Sequence, residues 1–524
     1  MTDIRQTLAV ALQHHSKGNP AEAERLYRQI LALEPGHAEA HNGLGNALAR
    51  QGETKEALAH YGRVLELTPT DGLRIRMALT MPVIPLSCAH VAETRREFQK
   101  NLAALATEPL SLKNPAAEVG MTTFRLPYHG LNDRELQVNM ASLFLKACPS
   151  LSFSAPHCAG PPKRAPDSRI KVGFLSRFFT HHTVGKLTRG FIAELPRERF
   201  AVTVLTFPQQ SDASWEFIRS RADDTVTLPF NLETARRAVA AKELDILLYG
   251  EIGMDPFTYF LAFSRLAPVQ CVTWGHPVTT GLPTIDYFIS SEGLEPADAD
   301  SHYSERLVRL KRLPTYYYGL KVAIPVKSRQ DFGLSDRGAL YLCPQSLFKL
   351  HPEFDEVVGS LLRADPTGVL ILVEGVEAHW TELMKRRFRA TIPDVVDRVR
   401  FLPKQSGLDF MSLLSLVDVI LDPLHWSGGN TTLEALWLGT PIVTLPGAFM
   451  RGRVTYACYR QMGLMDCVAA TKEDYVEKAV RLAKDRDYRE SVKKKILAAK
   501  DVLFENRGAV LDLEQFFLKA APSF

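Results

Sequence analysis

Short runs of apolar residues, separated by longer amphipathic stretches, dominate the chain after about residue 168. Runs of this length are typical of buried parallel strands, and the helical spacing between them predicts alternating strands and helices. A first set of strands is predicted at 170–175, 201–205, 245–248, 269–272 and 287–289. A second set is predicted at 340–343, 368–373, 399–402, 419–421 and 441–444. Two doubly wound parallel sheets facing a cleft are therefore expected, with ligands at the carboxyl ends of the strands.

The N-terminal residues have helical apolar spacing instead, and they repeat themselves. Gly18, Ala23, Tyr27, Ile30 and Pro35 recur 34 residues later as Gly52, Ala57, Tyr61, Val64 and Pro69. This period and these landmarks indicate tetratricopeptide repeats, each a pair of antiparallel helices. Alanine would allow close helix packing, tyrosine would fill the space between repeats, and proline would end each second helix. Two unrelated amphipathic hairpins are the alternative.

The region between the repeats and the first strand reads as further helix, followed by a proline-rich linker over 156–166. Two repeats are few for a free-standing solenoid, so they are expected to lean on a neighbouring domain. The predicted units are repeats over 1–75, a helical connector and linker over 76–167, and Rossmann-like halves over 168–320 and 321–524. The fold class is thus α/β, with N-terminal α-helical repeats.

Composition excludes some classes of protein. The 63 basic and 59 acidic residues nearly balance, so bulk charge indicates neither a nucleic-acid partner nor a membrane. The start of the sequence lacks a signal-peptide pattern, and no apolar run approaches a membrane span. Seven scattered cysteines without a CxxC motif favour reduced thiols and a cytoplasmic location over disulfides or a zinc site.

The most informative stretch is residues 422–444, which reads as strand, glycine-rich turn, helix start and second strand. Gly428 and Gly429 free the backbone to turn, and the Asn430–Thr431–Thr432 run begins the helix with open N–H groups. Such a helix start after a parallel strand is suited to binding a diphosphate. An ordinary connection between strand and helix is the alternative.

Other candidate residues come directly after other predicted strands. After 170–175 come His181, a candidate base, and Thr183, although adjacent histidines are more often solvated. After 269–272 comes Gly275–His276–Pro277, and after 340–343 come Gln345, Ser346 and Lys349. A lysine at this place can neutralise a leaving diphosphate, although a surface lysine is the commoner case. No HxxxH, HExxH or carboxylate cluster completes a metal site here.

Together these stretches resemble the nucleotide-sugar protein O-glycosyltransferases that include O-linked N-acetylglucosaminyltransferase and SPINDLY, and especially their bacterial members with tetratricopeptide repeats. The motifs Phe-Thr-His-His-Thr, Trp-Gly-His-Pro-x-Thr-Thr-Gly, Gln-Ser-Leu-Phe-Lys, Asn-Thr-Thr and Leu-Trp-x-Gly-Thr-Pro occur in the family's order. The resemblance implies a GT-B fold of two Rossmann-like domains, a UDP-sugar donor held mainly by the second, and inversion at the anomeric carbon. It implies no cofactor and no required metal.

The resemblance also implies roles for individual residues. Lys349 would stabilise the leaving UDP, and His181 would lie beside the reacting sugar. Whether His181 or the donor phosphate accepts the acceptor's proton stays open. The remaining donor-side candidates are Gln345, Ser346, Phe410, Gly429, Asn430, Thr431, Thr432 and Glu434, of which Glu434 would bind the ribose. The sugar and acceptor side would comprise His129, Thr183, Gly275, His276 and Pro277.

Two departures from the family pattern concern the donor. Asn430 stands where the family has a histidine, and the loop over 402–410 lacks a base-stacking histidine, for which Phe410 could substitute. The leading hypothesis is transfer of N-acetylglucosamine from UDP-N-acetylglucosamine to Ser/Thr of a protein recruited by the repeats. Alternatives are UDP-glucose transfer to Asn, transfer of a CMP-nonulosonic acid to flagellin, a UDP-N-acetylglucosamine 2-epimerase, and an inactive scaffold.

Overall fold

The computed structural model describes residues 3–160, 168–321 and 323–521. Its N-terminal part is a stack of antiparallel helices. The helices are α1 (Ile4–Ser16), α2 (Pro20–Leu33), α3 (Ala38–Gln51), α4 (Thr54–Leu67), α5 (Asp71–Leu79), α6 (Cys88–Thr107), α7 (Pro115–Glu118) and α8 (Arg134–Ala147). Helices α2 and α4 end just before Pro35 and Pro69, as the repeat pattern predicts. Tyr27 and Tyr61 are fully buried, and their rings lie where a Cβ on Gly43 or Gly45 would clash.

The first α/β half contains a 7-stranded parallel sheet of order β3-β2-β1-β4-β5-β6-β7. Its strands are β1 (Ile170–Leu175), β2 (Phe200–Thr206), β3 (Asp224–Thr227), β4 (Ile246–Tyr249), β5 (Val269–Thr273), β6 (Tyr287–Ser291) and β7 (Arg306–Leu310). Its helices are α9 (Thr183–Glu194), α10 (Ala213–Arg221), α11 (Leu232–Ala240) and α12 (Pro256–Leu261). The predicted strands are confirmed, and the two edge strands β3 and β7 are additional to them.

The second half contains a 5-stranded parallel sheet of order β10-β9-β8-β11-β12. Its strands are β8 (Leu340–Cys343), β9 (Val369–Val373), β10 (Val399–Leu402), β11 (Val419–Leu421) and β12 (Ile442–Val443). Its helices are α13 (Glu353–Ala364), α14 (Ala378–Thr391), α15 (Gly407–Leu416), α16 (Asn430–Leu438), α17 (Val454–Met462), α18 (Lys472–Lys484) and α19 (Arg486–Ala499). The predicted α/β class with two parallel sheets is confirmed.

The last helix, α20 (Arg507–Ala520), returns to the first half. Leu513 and Phe517 join the core beneath the first sheet, and Glu514 pairs with Arg199 at 2.7 Å. The predicted range 321–524 therefore includes a helix that packs on the other half. The sequence of an amphipathic helix shows which face is buried but not which sheet it packs on. The apolar pattern of α20 therefore could not predict its position on the first half.

The repeats lean on the second half, as expected from their small number. The Arg50 guanidinium pairs with Glu377 at 2.6 Å, and the Trp380 indole N–H donates to the Arg50 carbonyl at 2.9 Å. Gly52 approaches Leu383 so closely that a Cβ would lie 2.9 Å from its Cδ1. The end of α3 is thereby docked on α14.

The proline-rich linker falls mostly on residues 161–167, which lie outside the described residues; Pro156 begins a short 3-10 turn before them. The seven cysteines, all within the described ranges, are free thiols there. None of the helices in the described part of the chain combines the length and apolar character that a membrane crossing requires.

Candidate active site

A cavity of about 290 Å³ lies between the carboxyl ends of the two sheets. The predicted site residues that line it are Thr183, Gly275, His276, Pro277, Gln345, Ser346, Lys349, Gly429, Asn430 and Thr431. These residues come from both halves and are far apart in the chain. The structure thus brings together the strand-end motifs that the sequence could only place in order.

On the second half, three side chains form a hydrogen-bonded chain beside the cavity. The Lys349 ammonium donates to Gln345 Oε1 at 3.1 Å, and Gln345 Nε2 donates to Thr431 Oγ1 at 2.7 Å. Because the Thr431 hydroxyl already accepts, its own proton is available to donate to an anion. Burial lowers the pKa of Lys349 to about 8, while nearby Asp422 acts in the opposite direction.

The turn before α16 is held by the buried carboxylate of Asp422. It accepts from the Gly428 N–H and the Thr444 hydroxyl, both at 2.8 Å, and from the Ser427 hydroxyl. Only glycine fits at 428, because a Cβ there would lie 2.6 Å from Thr432 Oγ1. This geometry turns the first N–H groups of a nine-residue helix, which has no side-chain cap, toward the cavity.

Asn430, the departure from the family pattern, has a defined partner. The Tyr317 hydroxyl donates to its Oδ1 at 2.5 Å. With its oxygen occupied, the amide offers N–H donors, which suit an anionic ligand as an imidazolium would, but without a charge. At this position the chain therefore presents amide donors to the cavity.

Opposite this surface, the first half and the helical connector present aromatic rings and neutral imidazoles. His276 is buried, stacks on Phe124 with ring centroids 5.3 Å apart, and has its pKa lowered to about 3 by burial and nearby Arg451. Gly275 packs against the β4 loop, where a Cβ would lie 2.2 Å from the Gly250 carbonyl oxygen. Because Gly275 lies so close to the Gly250 backbone, a ligand has room only on the side of Gly275 that faces the cavity.

Of the two adjacent histidines, His182 lines the cavity, whereas His181 is exposed and does not. His182 stacks on Phe178 with centroids 4.6 Å apart, and burial lowers its pKa. Its Nδ1 accepts the Val184 N–H at 3.2 Å as the N-cap of α9. In the neutral ring the proton therefore resides on Nε2.

The remaining predicted residues lie outside the cavity lining. The Thr432 hydroxyl turns inward to the Gly428 carbonyl at 2.9 Å, and Phe410 packs half-buried on the core. His129 is buried without a hydrogen-bond partner for Nδ1 among the described residues. Glu434 pairs with Lys186 at 2.9 Å, which joins α16 to α9 across the two halves.

Several cavity residues were not predicted. They are Phe124, Tyr128, His182, Leu187, Met254, Trp274, Phe348, Trp426, Ser427, Arg451 and Val454. His182 and Trp426 lie inside motifs that the sequence analysis had identified. The predicted site residues beside them could therefore have pointed to them. Phe124 and Tyr128 come from the helical connector, whose pattern shows only ordinary apolar positions.

The connector is fixed at the cavity by a buried charge network. Asp133 accepts from Arg95 at 2.7 Å and from Arg451 at 3.1 Å, and Arg451 also donates to the Pro127 carbonyl at 2.9 Å. Asp133 and the carbonyl oxygens of Pro127 and Leu131 offset part of the cost of burying the Arg451 guanidinium, so loss of Asp133 would leave a buried charge unpaired. The network holds the Tyr128 ring against Trp426, with centroids 4.1 Å apart. The connector thus forms one wall of the cleft.

Two facing Rossmann-like halves with a cavity between the carboxyl ends of their sheets define the GT-B class of glycosyltransferase folds. Comparison with known proteins agrees: residues 317–513 match the family model Glycosyl transferase family 41, and residues 14–72 match a Tetratricopeptide repeat model. In structure, the chain is similar over 100% of its length to a mutant of Thermobaculum terrenum O-GlcNAc transferase. The match covers 99% of the Thermobaculum terrenum chain, with a TM-score of 0.73 and 23% sequence identity. At this identity the similarity shows a shared fold.

Two curated relatives have names that state an activity. "Probable UDP-N-acetylglucosamine--peptide N-acetylglucosaminyltransferase SPINDLY" from Solanum lycopersicum is 28% identical over 62% of this chain and 35% of its own length. The corresponding protein SEC from Arabidopsis thaliana is 26% identical over 69% of this chain and 38% of its own length. Residues 317–513 are thus similar to a family 41 glycosyl transferase domain and residues 14–72 to tetratricopeptide repeats, and the chain is homologous to SPINDLY and SEC. It spans little more than a third of the length of either relative.

Proposed function

We propose that this chain transfers N-acetylglucosamine from UDP-N-acetylglucosamine to a Ser or Thr hydroxyl of a peptide, with inversion. The observation that carries the proposal is the single cavity that joins Lys349 and the α16 helix start to His182 and the Gly275–Pro277 turn. A cation and helix N–H groups on one wall suit a diphosphate, and the opposite wall suits a neutral sugar and an acceptor. The SPINDLY and SEC names support this choice of donor and acceptor.

In this reaction the acceptor hydroxyl attacks the anomeric carbon while the bond from that carbon to the β-phosphate oxygen breaks. Lys349, the Thr431 hydroxyl and the first N–H groups of α16 receive the charge that develops on the leaving UDP. These groups are held in place before the donor arrives, so little reorganisation opposes the transition state. No metal is needed for this neutralisation.

We assign the histidine beside the reacting sugar to His182 rather than to His181, because His182 alone of the pair lines the cavity. Its Nδ1 already accepts the Val184 N–H, so neutral His182 donates from Nε2 instead of taking a proton there. The acceptor's proton accordingly goes to a phosphate oxygen of the donor. His182 orients the acceptor hydroxyl or a sugar hydroxyl.

The experiment supplies the chain with UDP-N-acetylglucosamine, UDP-glucose or a CMP-nonulosonic acid, each with a pool of Ser/Thr-rich peptides and one of Asn-rich peptides. We expect UDP-N-acetylglucosamine to release UDP only when an acceptor is present. Mass spectrometry should show one added N-acetylhexosamine on Ser or Thr, and NMR should show a β-glycosidic linkage. Modification by another donor would correct the sugar. UDP release without acceptor, with epimerised N-acetylhexosamine, would indicate an epimerase. An inactive scaffold would release no nucleotide at all.

The repeats are proposed to recruit the protein acceptor. Their third helix, α3, docks on α14, so a peptide held along the repeats would lie close to the transferase halves. Deleting the recruitment surface should raise KM for a protein acceptor and leave KM for a short peptide unchanged. The division into four units and the cytoplasmic location stay predictions from the sequence.

A further inference from the structure

Four side chains with metal-binding atoms converge behind the wall of the cavity. Cys88 is the first residue of α6, His351 lies just before α13, Glu353 is the first residue of α13, and His425 lies in the loop after β11. The ligand atoms of Cys88, His351 and Glu353 lie within 4.8 Å of one another. His425 Nε2 lies 3.3 Å from Glu353 Oε2, and the His351 and His425 rings are 4.6 Å apart between centroids.

His425 is not accounted for by the packing around it. Its Nε2 is buried and makes no hydrogen bond with the described residues. Its backbone is left-handed, with φ of 68°, a conformation that is unfavourable for residues with a side chain. Gly130 packs so closely on the ring that a Cβ there would lie 2.7 Å from His425 Cγ. His425 Nε2 thus faces the Glu353 carboxylate without a hydrogen bond to it, an arrangement that suits two ligands of one ion.

We propose that Cys88, His351, Glu353 and His425 bind a divalent transition-metal ion, with zinc as the best match. A thiolate, two imidazoles and a carboxylate form the mixed sulfur, nitrogen and oxygen set that zinc binds tetrahedrally. In such a site neighbouring ligand atoms are about 3.5 Å apart. The ligand atoms of Cys88, His351 and Glu353 need a contraction of about an ångström, which the exposed Cys88 side chain can supply by rotation. His425 joins this set from the Glu353 side, where its Nε2 lies 3.3 Å from Oε2.

The neighbouring cation does not preclude the site. Lys472 lies 3.9 Å from Glu353 Oε2, but its closer ion pair is with Glu356 at 3.0 Å. Glu353 can therefore turn to the metal while Lys472 keeps a partner. The sequence predicts no metal site here because the ligands come from three segments, with no two of them in a known metal-binding spacing.

A metal at this place would join three parts of the molecule. It would tie the start of α6, in the connector, to the segment just after Lys349 and to the loop that carries Trp426. These two segments form part of the cavity wall. The ion would stabilise the wall from behind and take no part in transfer.

The test uses the full chain without a histidine tag, reduced and freed of metal with a chelator. Zinc affinity is measured by competition with a chromophoric chelator, and cobalt is added separately to record thiolate-to-cobalt charge-transfer absorption. We expect about one tightly bound zinc ion per chain and a charge-transfer band in the wild type. Cys88→Ser should abolish the band, and Cys88→Ser and Glu353→Gln should each weaken zinc binding more than about tenfold.

Matched controls are Cys158→Ser and His14→Ala, which should bind zinc as the wild type does. His425→Ala tests a further ligand, and circular dichroism shows whether each variant folds. The proposal is overturned if the wild type binds no zinc at micromolar concentration. It is overturned equally if Cys88→Ser and His425→Ala fold and bind zinc unchanged, which would indicate adventitious surface binding. The outcome does not depend on which sugar is transferred.

Discussion

The two walls of the cavity solve different chemical problems. The wall from the second half carries a cation, a chain of hydrogen-bonded polar groups and a helix start whose turn is fixed by the buried Asp422. The wall from the first half and the connector carries stacked aromatic rings and imidazoles whose pKa values are lowered by burial, as in His182 and His276. Under the proposed function, the wall from the second half stabilises developing negative charge, and the opposite wall positions neutral groups.

This difference teaches why the two walls tolerate change differently. Charge stabilisation acts through a few atoms, so loss of one donor is expected to be severe. A neutral wall acts through shape and orientation, so its substitutions should have smaller effects that depend on geometry. Substitutions on each wall, and at the contacts that hold the walls together, test that contrast.

The largest effect is expected from Lys349→Ala. Removing the ammonium that contacts the proposed diphosphate should lower kcat by about 10²- to 10³-fold, with a smaller change in the affinity for UDP-N-acetylglucosamine. The measurement is single-turnover transfer to a peptide. Lys494→Ala, which replaces an exposed lysine on α19, is the matched control and should be unaffected. Full activity of Lys349→Ala would contradict the charge-stabilising role of this wall.

On the neutral wall, His182→Asn should lower kcat/KM by about 10- to 100-fold. Asparagine keeps an N-cap acceptor for the Val184 N–H, so α9 stays intact and only the cavity-facing ring is lost. His181→Asn, one residue away and exposed, should stay within about twofold. The reverse pattern would restore His181 to the role that the sequence suggested.

The pH profile distinguishes the walls further. Burial lowers the pKa of Lys349 to about 8, so the free enzyme loses its ammonium as the pH rises through that value. kcat/KM should therefore fall above about pH 8 by about tenfold per pH unit. The alkaline limb should be missing from the residual activity of Lys349→Ala. An acidic limb that disappears in His182→Asn would show instead that His182 accepts the proton.

Glu434 can be a ribose ligand or a bridge between the halves, and two variants separate these roles. If it binds the ribose, Glu434→Gln should weaken UDP binding about tenfold, since a hydrogen bond to a charged group contributes about 1.5 kcal/mol or more. Lys186→Ala would release the carboxylate, and UDP binding would be kept or tightened. Equal losses in both variants, measured by calorimetry, would assign Glu434 to the bridge.

The smallest effect is expected where the repeats dock. The Arg50–Glu377 pair is partly exposed on the arginine side, so Arg50→Ala should cost less than about 1 kcal/mol of the free energy of unfolding. Peptide transfer should be unchanged, because the pair contacts neither wall. Urea denaturation and peptide kinetics check the two statements. A large loss of activity would show that docking shapes the cavity.

The sequence predicts well those parts of the structure that depend on residues close together in the chain. Both sheets were anticipated because central strands are continuous apolar runs, whereas the edge strand β3 is mostly exposed and carries no such run. The turn before α16 could be placed at the cavity because its glycines and the helix start lie close together in the chain. Patterns of this kind can be recognised within a few consecutive residues.

The rest could not be predicted because it depends on three-dimensional approach. Phe124 and Tyr128 enter the cavity from the connector only because Asp133 and Arg451 meet in the interior. Which of His181 and His182 faces the cavity depends on which residue forms the N-cap of α9, and this is His182. The return of α20 to the first sheet likewise depends on packing that no local pattern records.

The return of α20 makes the second half an insertion within the first, joined to it by two crossing segments. Those segments touch: Tyr317 and Phe504 form an isolated β-bridge, and the Glu505 N–H donates to the Tyr317 carbonyl at 2.9 Å. These contacts pair the two segments at the boundary between the halves, so a rotation of one half against the other would bend both segments together. Tyr317 also holds Asn430 through its hydroxyl, so such a rotation would move the amide that lines the cavity as well.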